Sequence, residues 1–214
     1  MRNADILRLS WRDWNPGLDN IHWTLGAVLD SLPAAPPGAI PRIIRLIENP
    51  SSPIALPGAI TLARHDAVHV LVGRGLTNQD EAFVIGFTMG ATKRLRRWQE
   101  WLFIAIATTL YPRPYKFSKR DAIAFRLGVA EGRHQKCTAL EDMPFEDMRD
   151  LTLAELRRKV GINAARLRAV FRWERKLIAG TRASRRLDVD VDGLDTSAVS
   201  RPDGKPSDWK KERA

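Results

Sequence analysis

The chain contains a single cysteine, Cys137, among its 214 residues. No internal disulfide can form, so the fold has to be held by a buried core, which a chain of this length can supply. Cysteine usage this sparse fits a reducing interior compartment. Long hydrophobic runs are also missing. The richest window, residues 98–111, is interrupted by Gln99 and Glu100, and no stretch reaches the ~18–20 apolar residues that a bilayer span requires. Residues 1–14 carry Asp5 and Asp13 and lack a continuous apolar stretch. They do not read as a signal peptide, and they are too acidic and too poor in serine for a transit peptide. A location in the cytoplasm is therefore expected. Convincing apolar–polar alternation, the mark of a half-buried strand, is absent as well, and so is any internal repeat. Acidic residues are the minority: 35 Lys and Arg against 25 Asp and Glu give a formal net charge of +10 and a pI near 10.3. That balance favours anionic partners such as nucleic acid, anionic lipid or phosphorylated ligands, without choosing among them. The basic clusters at 93–97, 116–120 and 157–159 are interleaved with a helical core pattern and match no nucleic-acid motif, so they read as solvated helix faces and no nucleic-acid partner is expected.

What is present is helical periodicity. Candidate helices cover 21–32, stopped by Pro33; 41–48, opened by Pro41 and closed by Asn49-Pro50; and 58–72, ending at Gly73 and Gly75. A long segment runs from Asn78 through Arg97, with room for a break, into Leu110, and closes at Pro112 and Pro114. Ser118 with Asp121, and Thr152 with Glu155, have the spacing of capping boxes for two further helices, the second ending at Gly161. Asn163 opens a last helix to about Gly180, on which Leu167, Val170, Phe171, Leu177 and Ile178 share a face. The expected fold is all-α: a single-domain bundle of about seven to eight helices over residues 1–182. A flexible, charged tail over 183–214 follows, where Asp, Gly, Ser, Pro and Lys replace the periodic pattern.

One constellation carries chemistry. His65 and His69 are four apart in the 58–72 segment, so both imidazoles project from one helix face and can share an ion. Asp66 lies about a hundred degrees around the helix, within reach of the edge of that face. The glycines at 73 and 75 allow the chain to turn back and bring Glu81 opposite. Two nitrogens and two carboxylates suit Zn²⁺, Fe²⁺ or Mn²⁺. Each residue has a plainer reading too: Glu81 as the capping-box partner of Asn78, Asp66 as an ion-pair partner of Arg64.

The motif His65-Asp66-Ala67-Val68-His69, followed by eleven residues and Glu81, resembles the signature of the Coq-four family of ubiquinone-biosynthesis proteins. The flanks Leu62-Ala63-Arg64 and Val70-Leu71-Val72-Gly73, the segment Ala124-Phe125-Arg126-Leu127-Gly128, and the stretch from Phe145-Glu146-Asp147 to Val160-Gly161-Ile162 resemble the family too. The likeness spans roughly residues 20–165. It departs at Val68 and Phe145, where the family often has tryptophan, and in the tail. The resemblance implies a helical protein, peripheral on the inner face of the cytoplasmic membrane, that binds a divalent ion through His65, Asp66, His69 and Glu81, usually taken as zinc. It implies a step of coenzyme Q synthesis, the oxidative replacement of the ring carboxyl of a polyprenylated hydroxybenzoate by hydroxyl. A non-catalytic scaffold that holds the lipid and organises the other ubiquinone-biosynthesis proteins is the alternative. The implied partners are the polyprenylated aromatic lipid, those pathway proteins and an anionic membrane surface. A homodimer is also implied, with Trp11, Trp14 and Trp23 as candidate interface residues.

The prenyl chain would need an apolar groove, and residues 83–87 with Trp98, Trp101, Leu102 and Phe103 are candidates either for its lining or for ordinary core; exposed tryptophans beside the basic run at 93–97 would instead fit an anionic membrane surface. Three other motifs lead less far. Residues 188–193 match half of a calcium-binding loop, but Val199 stands where glutamate is required. The His65-Asp66 pair also fits a phosphohydrolase acting on a prenyl phosphate, which would need a further histidine upstream, and His22 is far away in sequence. His134 and Cys137 have no visible chemical partner.

Overall fold

The computed structural model describes residues 12–33, 56–92, 94–135 and 137–187. Among them are eight α-helices and no strand, and no helix is long and apolar enough to cross a membrane. The fold is all-α, as the periodicity predicts. The helices are α1 (Leu25–Leu29), α2 (Leu62–Val72), α3 (Asn78–Ala91), α4 (Arg97–Thr109), α5 (Lys119–Gln135), α6 (Leu153–Val160), α7 (Ala164–Leu177) and α8 (Arg182–Arg186), with single 3₁₀ turns at Leu140–Asp142 and Phe145–Met148. The expected helix at 41–48, the calcium-loop match, Trp11 and the chain beyond Leu187 lie outside the described residues.

Capping chemistry places most helix ends. Ser118 and Asp121 exchange bonds ahead of α5: the Ser118 N–H donates to the carboxylate at 2.7 Å, and the Asp121 N–H donates to the hydroxyl at 3.3 Å. Thr152 and Glu155 cap α6, and Asn163 accepts the Arg166 N–H at the start of α7. Gly73 and Gly161 end α2 and α6 with φ of 67° and 81°, the left-handed geometry that glycine adopts without strain. One expectation is corrected at the ends of elements. The 21–32 segment is helical only over Leu25–Leu29, and its N-terminal flank bonds elsewhere: Leu153 and Ala154 donate to the carbonyls of Trp23 and Ile21, while Leu25 and Gly26 donate to those of Leu151 and Arg149. The long segment from Asn78 takes its break at Thr92, whose backbone is extended, and α4 begins at Arg97.

The centre of the molecule is the seam between α3 and α5, where the backbones touch. A methyl group built on Gly86, Gly90, Gly128 or Gly132 would lie 2.2 Å from a carbonyl oxygen of the opposite helix, at Phe125, Val129, Phe83 and Phe87 respectively. Pairs of glycines four apart on each helix thus leave flat strips that admit the other backbone. Around the seam pack Phe83, Phe87, Phe103, Phe125 and Phe171, all buried. Helix α2 lies against α1, α3 and α6. Arg157 of α6 reaches under the end of α2 and donates to the carbonyls of Leu71 and Leu18 at 2.9 Å, which satisfies an acceptor that the terminating helix leaves open.

The folded unit continues past Arg182 through α8, where Ala183, Ser184 and Leu187 are buried. On α7 the buried stripe is Leu167, Phe171, Glu174 and Ile178, while Leu177 is exposed. An acid takes the position expected of an aliphatic, for a reason given below. Trp14 is interior and its indole N–H donates to Ser31 Oγ at 3.1 Å, so it is not available to a dimer surface. Trp23 is exposed.

Candidate metal centre

Helices α2 and α3 are in contact and are joined by the turn Gly73–Thr77. The capping box of α3 is made by Thr77 and Asp80, not by Asn78 and Glu81: the Thr77 N–H and hydroxyl both donate to Asp80 Oδ2, at 3.1 and 2.6 Å. Asn78 instead donates its side-chain amide to the Pro114 carbonyl at 2.7 Å. Glu81 takes no part in the capping box, and its carboxylate faces α2.

There three of the four expected ligands meet. His65 Nε2 lies 2.9 Å from Glu81 Oε2 and 3.0 Å from His69 Nε2, and His69 Nε2 lies 3.3 Å from Glu81 Oε1. The rings are edge-on, 4.7 Å between centroids. A nitrogen–nitrogen approach this close needs a shared proton or a shared cation. Around a tetrahedral ion with bonds of about 2.1 Å, neighbouring ligand atoms lie about 3.4 Å apart. The three separations fall a few tenths of an ångström inside that, so the donor set fits a divalent ion with little movement. His69 is fully buried, whereas the Glu81 side chain keeps 31% of its exposure. The cluster therefore has an anchored inner side and an open outer one, the layout of three protein ligands plus a free position.

Asp66 stands beside the cluster but outside the group of mutually close ligand atoms. Burial pushes its carboxyl above the usual range, His65 and His69 draw it back, and Glu81 adds to the rise. For Glu81, burial alone would raise the carboxyl. The charge of His69 and the hydrogen bonds from both histidines outweigh it and hold the group well below the ordinary carboxylate range. Arg64 does not pair with Asp66. Its guanidinium turns to Glu146, at 3.4 Å, and to the Glu141 carbonyl, and so ties α2 to the 3₁₀ turns. His22 and His134 are exposed and away from the cluster. Burial raises the Cys137 thiol to about 11, which leaves it protonated and inert near neutrality.

Behind the site lies a buried ion network that local pattern did not reveal. Arg74, fully buried, donates to both oxygens of Glu174 at 3.0 and 2.8 Å. Its Nε is 3.2 Å from Asp80, and its guanidinium sits over the rings of Phe83 and Phe171. Gln79 donates to Glu174 at 2.6 Å and Arg186 of α8 reaches Asp80 at 3.2 Å. This is why an acid occupies the inner stripe of α7. The only advance signal was that acid itself, interrupting an apolar face.

The aromatic residues suggested for a prenyl groove separate. Phe83, Phe87 and Phe103 are core, while Trp98, Trp101 and Leu102 are exposed on α4. A depression between the starts of α3, α5 and α8 is polar, lined by residues such as Thr77, Asn78, Arg120 and Arg182, and does not suit a hydrocarbon chain.

Compared with protein-family models, curated proteins and solved structures, the chain matches none.

Proposed function

We propose that the protein is a metal-dependent enzyme of ubiquinone synthesis. In this reading it replaces the ring carboxyl of a polyprenylated hydroxybenzoate by hydroxyl, a two-electron oxidation in which the carboxyl leaves as carbon dioxide and dioxygen serves as the oxidant, and His65, His69 and Glu81 hold the ion. The observation that supports it is the convergence of two imidazole nitrogens and a carboxylate at 2.9–3.3 Å on a half-open face. The reaction and substrate follow from the resemblance of the His-Asp-x-x-His…Glu spacing to the Coq-four family. A divalent ion would supply Lewis-acid stabilisation of a substrate carboxylate or phenolate, and iron, unlike zinc, would add redox chemistry to it.

The chain's own residues set the terms. Buried His69 cannot rotate into solvent and fixes the inner side of the site. His65 and Glu81 border the opening through which a substrate oxygen would enter. Asp66, destabilised as an anion by burial, is favoured in its ionised form by a nearby cation, and with Glu81 makes up the two negative charges that balance a divalent ion.

Elemental analysis of protein purified without a metal-affinity column should find one divalent ion per chain, zinc by the resemblance, and none in His69→Ala. In cells lacking their own version of the step, His69→Ala should abolish quinone synthesis while lipid and partner binding persist. Retained synthesis in that variant would instead favour the scaffold. Phosphate release from a prenyl phosphate, absent in His65→Ala, would favour the phosphohydrolase.

A further inference from the structure

Helix α4 is amphipathic in the wrong sense for a core helix. Its inward side contributes Phe103 and Ala107, both buried. Its outward side is the apolar stripe Trp98, Trp101, Leu102 and Ala105, at helical spacing, with Trp98 57% and Trp101 63% exposed. Burial therefore does not account for two tryptophans and a leucine on one face. The charges beside them that lack an ion-pair partner among the described residues are basic. Arg94, Arg96 and Arg97 are exposed at the start of the helix and form no ion pair with a described carboxylate. Arg126 of α5 lies over the Trp101 ring, 4.8 Å from its centroid. The only acid from residue 94 to residue 112 is Glu100, and Arg133 neutralises it.

We infer that the outer face of α4 docks on a lipid bilayer bearing anionic headgroups. Tryptophan rings belong at the boundary between headgroup and hydrocarbon, where an apolar body and a polar N–H are both satisfied. Guanidinium groups beside them pair with lipid phosphates and carboxylates. A helix lying flat in the interface needs this combination and no spanning length. A second copy of the chain is a poorer occupant, because pairing the face with itself would bring two arginine clusters together on molecules that each carry a net charge of +10. The inference goes beyond the metal centre and does not depend on it.

The test is sedimentation with phosphatidylcholine vesicles, with and without phosphatidylserine, at low and high salt. The protein should bind only the anionic vesicles and be released by salt. Brominated acyl chains should quench its tryptophan fluorescence. Trp98→Ala/Trp101→Ala should lose sedimentation with the anionic vesicles. Arg94→Gln/Arg97→Gln should lower partition by about twenty-five-fold, since each basic side chain at such a surface contributes about a factor of five. All four side chains are exposed, so unchanged circular dichroism and wild-type metal content should accompany these losses, which separates a failure of docking from a failure of the metal reading. Binding that is absent, or that both variants retain in full, overturns the inference. So does concentration-dependent self-association that Trp98→Ala/Trp101→Ala abolishes without any vesicle binding, which would assign the face to a second copy.

Discussion

Asp80 and Glu81 are neighbours in the first turn of α3, yet they belong to opposite regions of the molecule. One step of about a hundred degrees around the helix turns Asp80 into the interior, against Arg74 and Arg186, and Glu81 outward, against His65 and His69. The inner region balances itself: two arginines, Arg74 and Arg186, face two carboxylates, Asp80 and Glu174, and the backbone and Gln79 take up further bonds. The outer region does not. Among the described residues its Glu81 carboxylate pairs with imidazoles, and Arg64, next to His65 in sequence, is turned away to Glu146. Charge satisfied from within the fold makes a structural network. Charge left to be satisfied from outside it would make a site for a cation.

The sharpest way to break this contrast is Glu174→Ala. It takes from a fully buried guanidinium the carboxylate that it binds through two nitrogens, and removing one partner of a buried pair costs about 3–5 kcal/mol, read by chemical denaturation. A small loss would mean that the inner network is not what holds α7 to the hairpin. Next is the seam on which both regions rest. In Gly128→Ala the new methyl group meets the Phe83 carbonyl at 2.2 Å, and a backbone oxygen cannot swing aside as a side chain would. Parting the helices should cost about 1–3 kcal/mol. A comparable effect is expected from the ion itself. Zinc at a hundredfold excess over its dissociation constant should stabilise the wild type by about 2.7 kcal/mol. Glu81→Gln should gain nothing from zinc, whereas Asp80→Asn should start from lower stability and still gain, by less than the wild type. Equal gains in both variants would place the ion elsewhere.

How much of this could be read in advance divides along the same line. The pair His65 and His69 is legible because helical spacing fixes which side chains share a face, and Glu81 is legible because a short hairpin returns the chain to that face. Capping was less secure: Thr77–Asp80 and Asn78–Glu81 have the same spacing, and only the geometry shows that the first box forms. The inner network was out of reach, since Arg74 and Glu174 are a hundred residues apart in sequence and local periodicity says nothing about which distant helix supplies a counter-charge. The glycines at 86, 90, 128 and 132 did carry a signal in their repeated spacing of four. Its meaning depended on α3 and α5 being partners, which no single helix reveals. Helix α4 was left open for a physical reason as well. Apolar spacing identifies an amphipathic face but not what covers it, so Phe103 went inward and Trp98 and Trp101 outward from one continuous pattern.

The smallest expected effect tests whether the two regions are separate at all. Thr77 caps the turn that carries both carboxylates, accepting the Asp80 N–H and donating to the Asp80 carboxylate. Thr77→Ala removes the cap at a cost of about 1 kcal/mol. If the first turn of α3 is kept in place by Arg74 and Arg186 alone, that loss should appear in stability and nowhere else, and titration with zinc should give the wild-type affinity. If instead the cap sets the direction of Glu81, the freed turn should weaken zinc binding several-fold while His65 and His69 stay in place. We expect the second result, because Asp80 Oδ2 is shared between Thr77 and Arg186. A single oxygen then links the helix cap and the interior network to the residue beside it, and the outer site inherits its geometry from the inner one.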